Sequence, residues 1–245
     1  MKLEGKVAIV TGAGAGIGRA SALCFAREGA KIAVIDINPQ RAQNVVEEIR
    51  AKGGTANPYV CDVMMQDQVN DTVVQVRKDL GPIDILMNNA GGAIVAGEGQ
   101  SFESCTPEFI NRMIGVNLMG AIYFTRAVVG EMKERRTGRI LNLSSVRGIG
   151  GDKGVLYGTA KGAIISFTKG LAMRLAEYGI TVNALAPGAI NSRPAPGSQP
   201  NFVGRPGTCE EVAELALYLL TPEASFIIGQ NIAIDGGRTL GCKGD

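Results

Sequence analysis

Short apolar runs recur along the chain at 6–11 (KVAIVT), 31–36 (KIAVID), 58–63 (PYVCDV), 83–90 (IDILMNNA), 139–145 (RILNLSS), 181–187 (TVNALAP) and 231–235 (NIAID), with helix-length segments between them. Each run is continuous rather than alternating, which is the pattern of a strand covered on both faces. The segments 17–29, 40–52, 67–80, 107–133, 157–178 and 210–220 carry helical periodicity. Leu171 and Leu175 share a helix face, and Pro107 after Thr106 suits a first helical position behind an N-cap. Strand and helix alternating this often predict a doubly wound α/β sheet of parallel strands with helices on both faces. No Ser/Gly linker, repeat or low-complexity block marks a boundary. The irregular stretches 91–106 and 191–208 follow strand ends, where ligands bind in open sheets.

With 245 residues, 45% of them hydrophobic, the chain can bury a large core. Its 25 basic and 23 acidic residues are interspersed, which leaves no footprint for nucleic acid or an anionic membrane. The start, MKLEGKVAIVTGAG, has too short an apolar stretch for a signal peptide, and no later run approaches the ~20 apolar residues of a membrane span; a cytoplasmic protein is expected. Cys24, Cys61, Cys105, Cys209 and Cys242 are odd in number and lack C-x-x-C spacing, which argues against a disulfide framework or zinc site. The chain has no histidine, so Ser-His-Asp hydrolysis, Cys-His proteolysis and His-ligated zinc are excluded. No metal site is expected.

The segment TGAGAGIG (11–18) sits between the first strand and the first helix. Gly12, Gly16 and Gly18 suit a tight turn, a close approach of backbone to pyrophosphate and helix-on-strand packing, with the helix N-terminus facing the phosphates. Asp36 ends the second strand eighteen residues after Gly18, near the ~20-residue offset of a carboxylate that binds ribose hydroxyls. It would repel a 2′-phosphate. No Arg or Lys stands at Ala13, Ala15, Ile37 or Asn38 to rescue one, and Arg19 is equally explained by its helix. The expected cofactor is NAD rather than NADP.

In YGTAK, Tyr157 and Lys161 lie four apart at the start of a helix and share one face. A phenol is a poor base at neutral pH, but a neighbouring ammonium favours its phenolate. With TGAGAGIG, Asp36, CDV (61–63), NNAG (88–91), Asn117 in GVNLMG, NLSS (142–145), YGTAK, NALAPGAI (183–190) and IDGG (234–237) in this order, the chain resembles the short-chain dehydrogenases/reductases from end to end.

The resemblance implies a single Rossmann-like domain over 1–245 with about seven strands, assembled as a homotetramer or homodimer. It implies interconversion of a secondary alcohol and a ketone by hydride transfer with NAD. Tyr157 would be the acid/base, Lys161 would lower its pKa and hold the ribose, a serine would bind the substrate oxygen, and Asn117 would hold a relay water. Gly12, Gly16, Ile17 and Gly18 would meet the phosphates, and Asp36 the ribose. Asp62 and Val63 would lie at the adenine, Asn89, Ala90 and Gly91 along the ribose, and Pro187, Gly188 and Ile190 beside the nicotinamide. Asn117 and Val63 also have structural readings, as a backbone partner inside a helix and as core.

The family's usual serine-to-tyrosine spacing selects Ser144, whereas aligning the strand end selects Ser145, whose side chain alternation turns toward the cleft. Ser145 is preferred. Ser192 stands where the family commonly has a threonine against the carboxamide, and the proline-rich 193–207 is shorter than the usual lid. Arg147, Lys153 and Arg193 are candidates for favouring an anionic substrate, with solvated loop charges as the alternative. Other readings of the same fold are a non-catalytic NAD-binding subunit and an epimerase or lyase.

Overall fold

The structure is a computed structural model that describes residues 1–93, 102–150, 154–191 and 201–241. Strands β1 (Val7–Thr11), β2 (Lys31–Asp36), β3 (Thr55–Val60), β4 (Ile85–Asn88), β5 (Gly138–Leu143), β6 (Ile180–Pro187) and β7 (Asn231–Ile234) form one sheet. Its order is β3-β2-β1-β4-β5-β6-β7, and every neighbouring pair is parallel. The chain reverses direction across the sheet between β1 and β4, the switch point where doubly wound sheets open a cleft.

Helices α1 (Gly16–Arg27), α2 (Pro39–Ala51) and α7 (Cys209–Leu220) cover one face, and α3 (Gln66–Leu80), α4 (Pro107–Ile114), α5 (Gly120–Glu134) and α6 (Val155–Leu175) the other. Strand side chains feed both layers by alternation. On β1, Ala8 and Val10 join the core under α1 while Val7 and Ile9 join the core under α5, so the apolar run is continuous because both sides are covered. The helix starts follow local chemistry. Asn38 accepts from Arg41 N with Pro39 at the first position, Thr106 accepts from Phe109 N ahead of Pro107, and Thr208 with Glu211 forms a capping box.

Two elements depart from the sequence reading. The third strand is not 58–63 but Thr55–Val60, in register from Lys31 against Thr55 to Asp36 against Val60. It is an edge strand, which tolerates Pro58, and pairing with β2 overrides the weak propensity of Ala-Asn-Pro. Cys61, Asp62 and Val63 consequently leave the sheet as a turn, with Met64 N donating to Asp62 Oδ1. The helix expected over 107–133 is a rod whose middle, Gly115–Met119, is a π turn carrying Asn117. By length and composition this rod is apolar enough to cross a bilayer, its most apolar 18-residue window having a mean hydropathy of 1.4, which the sequence reading did not anticipate. Phe124, Val128 and Met132 on it are fully buried in the core under the sheet.

Candidate active site

A cleft of about 950 Å³ opens at the carboxyl ends of β1, β2, β4, β5 and β6. On its glycine-loop side Gly12 and Gly16 have φ of +62° and +55°, the left-handed region that favours glycine. A Cβ on Gly18 would lie 2.3 Å from the Gly12 carbonyl oxygen, so the first helical turn sits directly on the strand end. That contact is backbone and cannot swing away. Gly18→Ala is therefore expected to lower the unfolding free energy by about 1–3 kcal/mol, as overpacking does; an unchanged urea midpoint would contradict the packing described.

Asn89 locks this loop. Its Nδ2 donates to the Thr11 and Gly12 carbonyls at 2.8 and 3.1 Å, and Thr11 Oγ1 accepts from Asn89 N and Ala90 N, both at 3.0 Å. Asp36 is half-buried at the end of β2, where its Oδ2 accepts from Gly14 N and its Oδ1 from Asn38 N, each at 2.9 Å. Two backbone donors thus aim the carboxylate. Gly14 was not singled out in the sequence, yet a Cβ there would meet Arg41 Cβ at 2.6 Å and Asp36 Oδ2 at 2.7 Å. Its signal was the fourth glycine in TGAGAGIG. Arg41 also escaped notice; it lines the cleft and makes no ion pair among the described residues.

Gly12, Gly16, Ile17, Asp36, Asn89, Ala90, Gly91, Pro187, Gly188 and Ile190 all line the cleft. Gly18 lies one layer below. Asp62 and Val63 do not line it; Val63 is core, packed where a Cβ of Gly120 would be. Ser192, Lys153 and Arg193 lie outside the described residues.

Ser145, Tyr157 and Lys161 meet on the other wall. Ser144, although it also borders the cleft, donates to the Leu185 carbonyl at 2.9 Å and bonds Asn231, so its hydroxyl is tied to β6 and β7. The Ser145 hydroxyl accepts from Arg147 N at 3.2 Å and hydrogen-bonds the Tyr157 phenol. Strand alternation thus puts the Ser145 hydroxyl with the tyrosine.

The Lys161 ammonium is fully enclosed and donates to the Leu143 carbonyl at 2.7 Å, and burial pushes its pKa down to about 8. Its nitrogen lies 5.7 Å from the centre of the Tyr157 ring. The phenol itself is raised above its ordinary value, because burial outweighs the opposing pull of the Ser145 hydrogen bond and the Arg147 charge. Lys161, whose nitrogen flanks that ring, keeps the place beside Tyr157 that the resemblance implies.

Asn117 has its side chain engaged with backbone. Nδ2 donates to the Gly92 and Met113 carbonyls, both at 3.1 Å, and Oδ1 accepts from Gly92 N at 2.8 Å. The π turn widens the helix enough to aim this side chain at residues 91–92, and Gly91 is free of a Cβ that would reach Asn117 Oδ1 at 2.5 Å.

A profile of the short chain dehydrogenase family matches residues 6–200. The 3-oxoacyl-(acyl-carrier-protein) reductase FabG of Thermotoga maritima is 38% identical over 98% of this chain and all of its own length. Among solved structures, a 3-oxoacyl-(acyl-carrier protein) reductase with bound NAD from Brucella melitensis superposes with a TM-score of 0.90 at 35% identity, over 96% of this chain and 93% of that one. An NAD-bound xylitol dehydrogenase superposes with a TM-score of 0.88 at 35% identity, over 97% of this chain and 100% of that one.

Proposed function

The chain belongs to the short-chain dehydrogenase family, and from that premise we propose that it is an NAD-dependent oxidoreductase interconverting a secondary alcohol and a ketone. The observation that carries this is the joining of Ser145, Tyr157 and Lys161 on one wall of a cleft whose other wall is the glycine loop and Asp36. The cleft fits a dinucleotide. Close packing of Gly18 on Gly12 exposes the start of α1 to a pyrophosphate, and the carboxylate of Asp36 is preset by Gly14 N and Asn38 N for ribose hydroxyls.

When bound, the nicotinamide supplies the hydride acceptor. In alcohol oxidation Tyr157 removes the hydroxyl proton, and Ser145 hydrogen-bonds the same oxygen. Lys161, anchored on the Leu143 carbonyl, holds the ribose hydroxyls beside Tyr157. Asn117 fixes residues 91–92 against Lys161 and is assigned the relay water. Ketone reduction runs through the same groups in reverse. The relatives support the reaction class, since a 3-oxoacyl reductase and a xylitol dehydrogenase both act at a carbon that alternates between carbonyl and alcohol.

The proposal includes a homodimer or homotetramer in the cytoplasm acting on a small molecule. The wholly exposed Phe226 and the partly exposed Tyr218 and Ile228 are surface that a second copy would cover.

The test is the initial rate of cofactor reduction with NAD and with NADP across sugar alcohols, hydroxysteroids, hydroxy acids and small cyclic or aryl alcohols. NAD is expected to exceed NADP by about tenfold or more, the ratio that ~1.4 kcal/mol of repulsion at Asp36 gives, and Asp36→Ala should lose that preference. Equal rates in the parent chain would overturn the cofactor assignment. Silence across the panel with NAD bound would favour a non-catalytic NAD-binding role.

A further inference from the structure

The segment IDGG (234–237) ends β7 and anchors both limbs that flank residues 192–200. On the outgoing limb Gly188 N donates to the Ile234 carbonyl at 3.0 Å; on the returning limb Phe202 N donates to the Gly236 carbonyl at 2.8 Å. Gly236 has φ of +65°, and its bare face seats the buried Asn201, whose Cγ a Cβ there would meet at 3.0 Å. The limbs also pair with each other. Gly207 N donates to the Ala189 carbonyl at 2.9 Å and Asn191 N to the Gly207 carbonyl at 2.8 Å, with Ile190 opposite Gly207 in a parallel bridge.

Side chains lock the returning limb. Asn201 Oδ1 accepts from Gly204 N at 2.7 Å, and its Nδ2 donates to the Arg205 carbonyl at 2.8 Å. Arg205 Nη2 donates to Glu211 Oε1 at 2.6 Å, and Nη1 donates to Glu211 Oε2 at 2.9 Å and to the Pro206 carbonyl at 3.0 Å. Glu211 stands in the first turn of α7, where its Oε2 also accepts from Thr208 N at 2.7 Å. An exposed ion pair contributes little when it is single and loose, but a two-pronged fork with main-chain bonds at both ends fixes a geometry.

Pro187, Gly188 and Ile190 line the cleft, whereas Arg205 and Glu211 do not. β6, which leads to them, lies beside β5 and four places from β2 in the sheet, roughly 19 Å from Asp36 at ~4.8 Å per strand. The paired limbs therefore border the end of the cleft that holds Ser145 and Tyr157. We propose that Arg205 is a positioning residue for the cofactor: its fork to Glu211 holds Gly207 against Ile190 and so fixes the wall that the nicotinamide half of a dinucleotide meets. It acts through the limb and touches neither cofactor nor substrate.

The inference rests on the dinucleotide reading, and its test separates the two. Calorimetric titration compares NAD with ADP-ribose, which keeps the adenosine, the pyrophosphate and the second ribose but has no nicotinamide. Arg205→Met should weaken NAD by about threefold, the scale of a well-formed exposed ion pair, and leave ADP-ribose unmoved. Arg205→Lys, which keeps the charge and loses the fork, should recover part of that loss. Gly207→Ala probes the same wall without altering any charge: its Cβ would lie 2.8 Å from Ile190 Cδ1, a side-chain end that can swing, and NAD should again weaken while ADP-ribose does not. Equal weakening of both ligands by Arg205→Met, or NAD affinity unmoved in the Met and Ala variants, would overturn the proposal. A parent chain that binds neither ligand would overturn the dinucleotide reading, and the proposal with it.

Discussion

Replacing Tyr157 with phenylalanine is expected to lower kcat by about 10²–10⁴-fold, the range that a positioned acid/base contributes, while NAD affinity stays within a few-fold. The substitution removes one hydroxyl and keeps the ring, so the wall of the cleft retains its shape. The Ser145 hydroxyl keeps a partner in Arg147 N, and Lys161 keeps the Leu143 carbonyl. The glycine loop and Asp36 lie on the opposite side, held by bonds to Asn89, Gly14 and Asn38 that never reach residue 157. Calorimetric titration with NAD and the rate of NADH formation separate the two effects. Turnover within a few-fold of the parent would remove Tyr157 from the mechanism. Loss of NAD binding together with turnover would mean that its role is to hold the cofactor.

Lys161→Met is expected to do two opposite things. Turnover falls by about 10²-fold or more, because the ammonium beside the tyrosine and ribose is gone. Stability without cofactor rises, because a fully enclosed ammonium is replaced by an apolar side chain of similar length. Burial that brings the lysine from 10.5 to about 8 corresponds to about 3 kcal/mol at neutral pH, less the bond to the Leu143 carbonyl.

The sign sets the pH window. Below about pH 8 the ammonium is present in folded and unfolded chains alike, and the whole burial cost is felt. Between about 8 and 10.5 the folded chain has shed the proton that the unfolded chain keeps, so stability of the parent rises with pH. The variant lacks that rise, and the gap between the two should close across the window. Urea unfolding at several pH values, in a Tyr157→Phe background so that this phenol does not titrate, reads it directly. Parallel curves would mean that Lys161 is not buried as a charge.

The sheet was legible in outline because each β-branched run and each periodic segment is a local pattern, and β1, β2 and β6 lie within a residue of the runs that announced them. The third strand was misplaced by three residues for a physical reason. Its boundaries come from pairing with β2, and Tyr59 and Val60 carry the propensity while Ala56, Asn57 and Pro58 carry almost none. The π turn at Asn117 was equally invisible, since GVNLM continues a helical pattern in one dimension. Gly14 and Arg41 show the same limit at the site. One is a spare glycine and the other an ordinary first-turn arginine until α2 is packed against the loop, when Arg41 and Asp36 both close on Gly14 and line the cleft.

The order of the elements, the glycine loop with its aspartate at the end of the next strand, and the tyrosine and lysine one helical turn apart were determined by the sequence alone, because each is a matter of spacing along one strand or helix. Only the tertiary structure decided that the Ser144 hydroxyl is tied to β6 and β7 while that of Ser145 reaches the tyrosine, and that burial raises the phenol and lowers the lysine. Those outcomes depend on how much water is excluded and on which distant groups face one another, and both are set by β5, the 146–148 turn and α6 closing together.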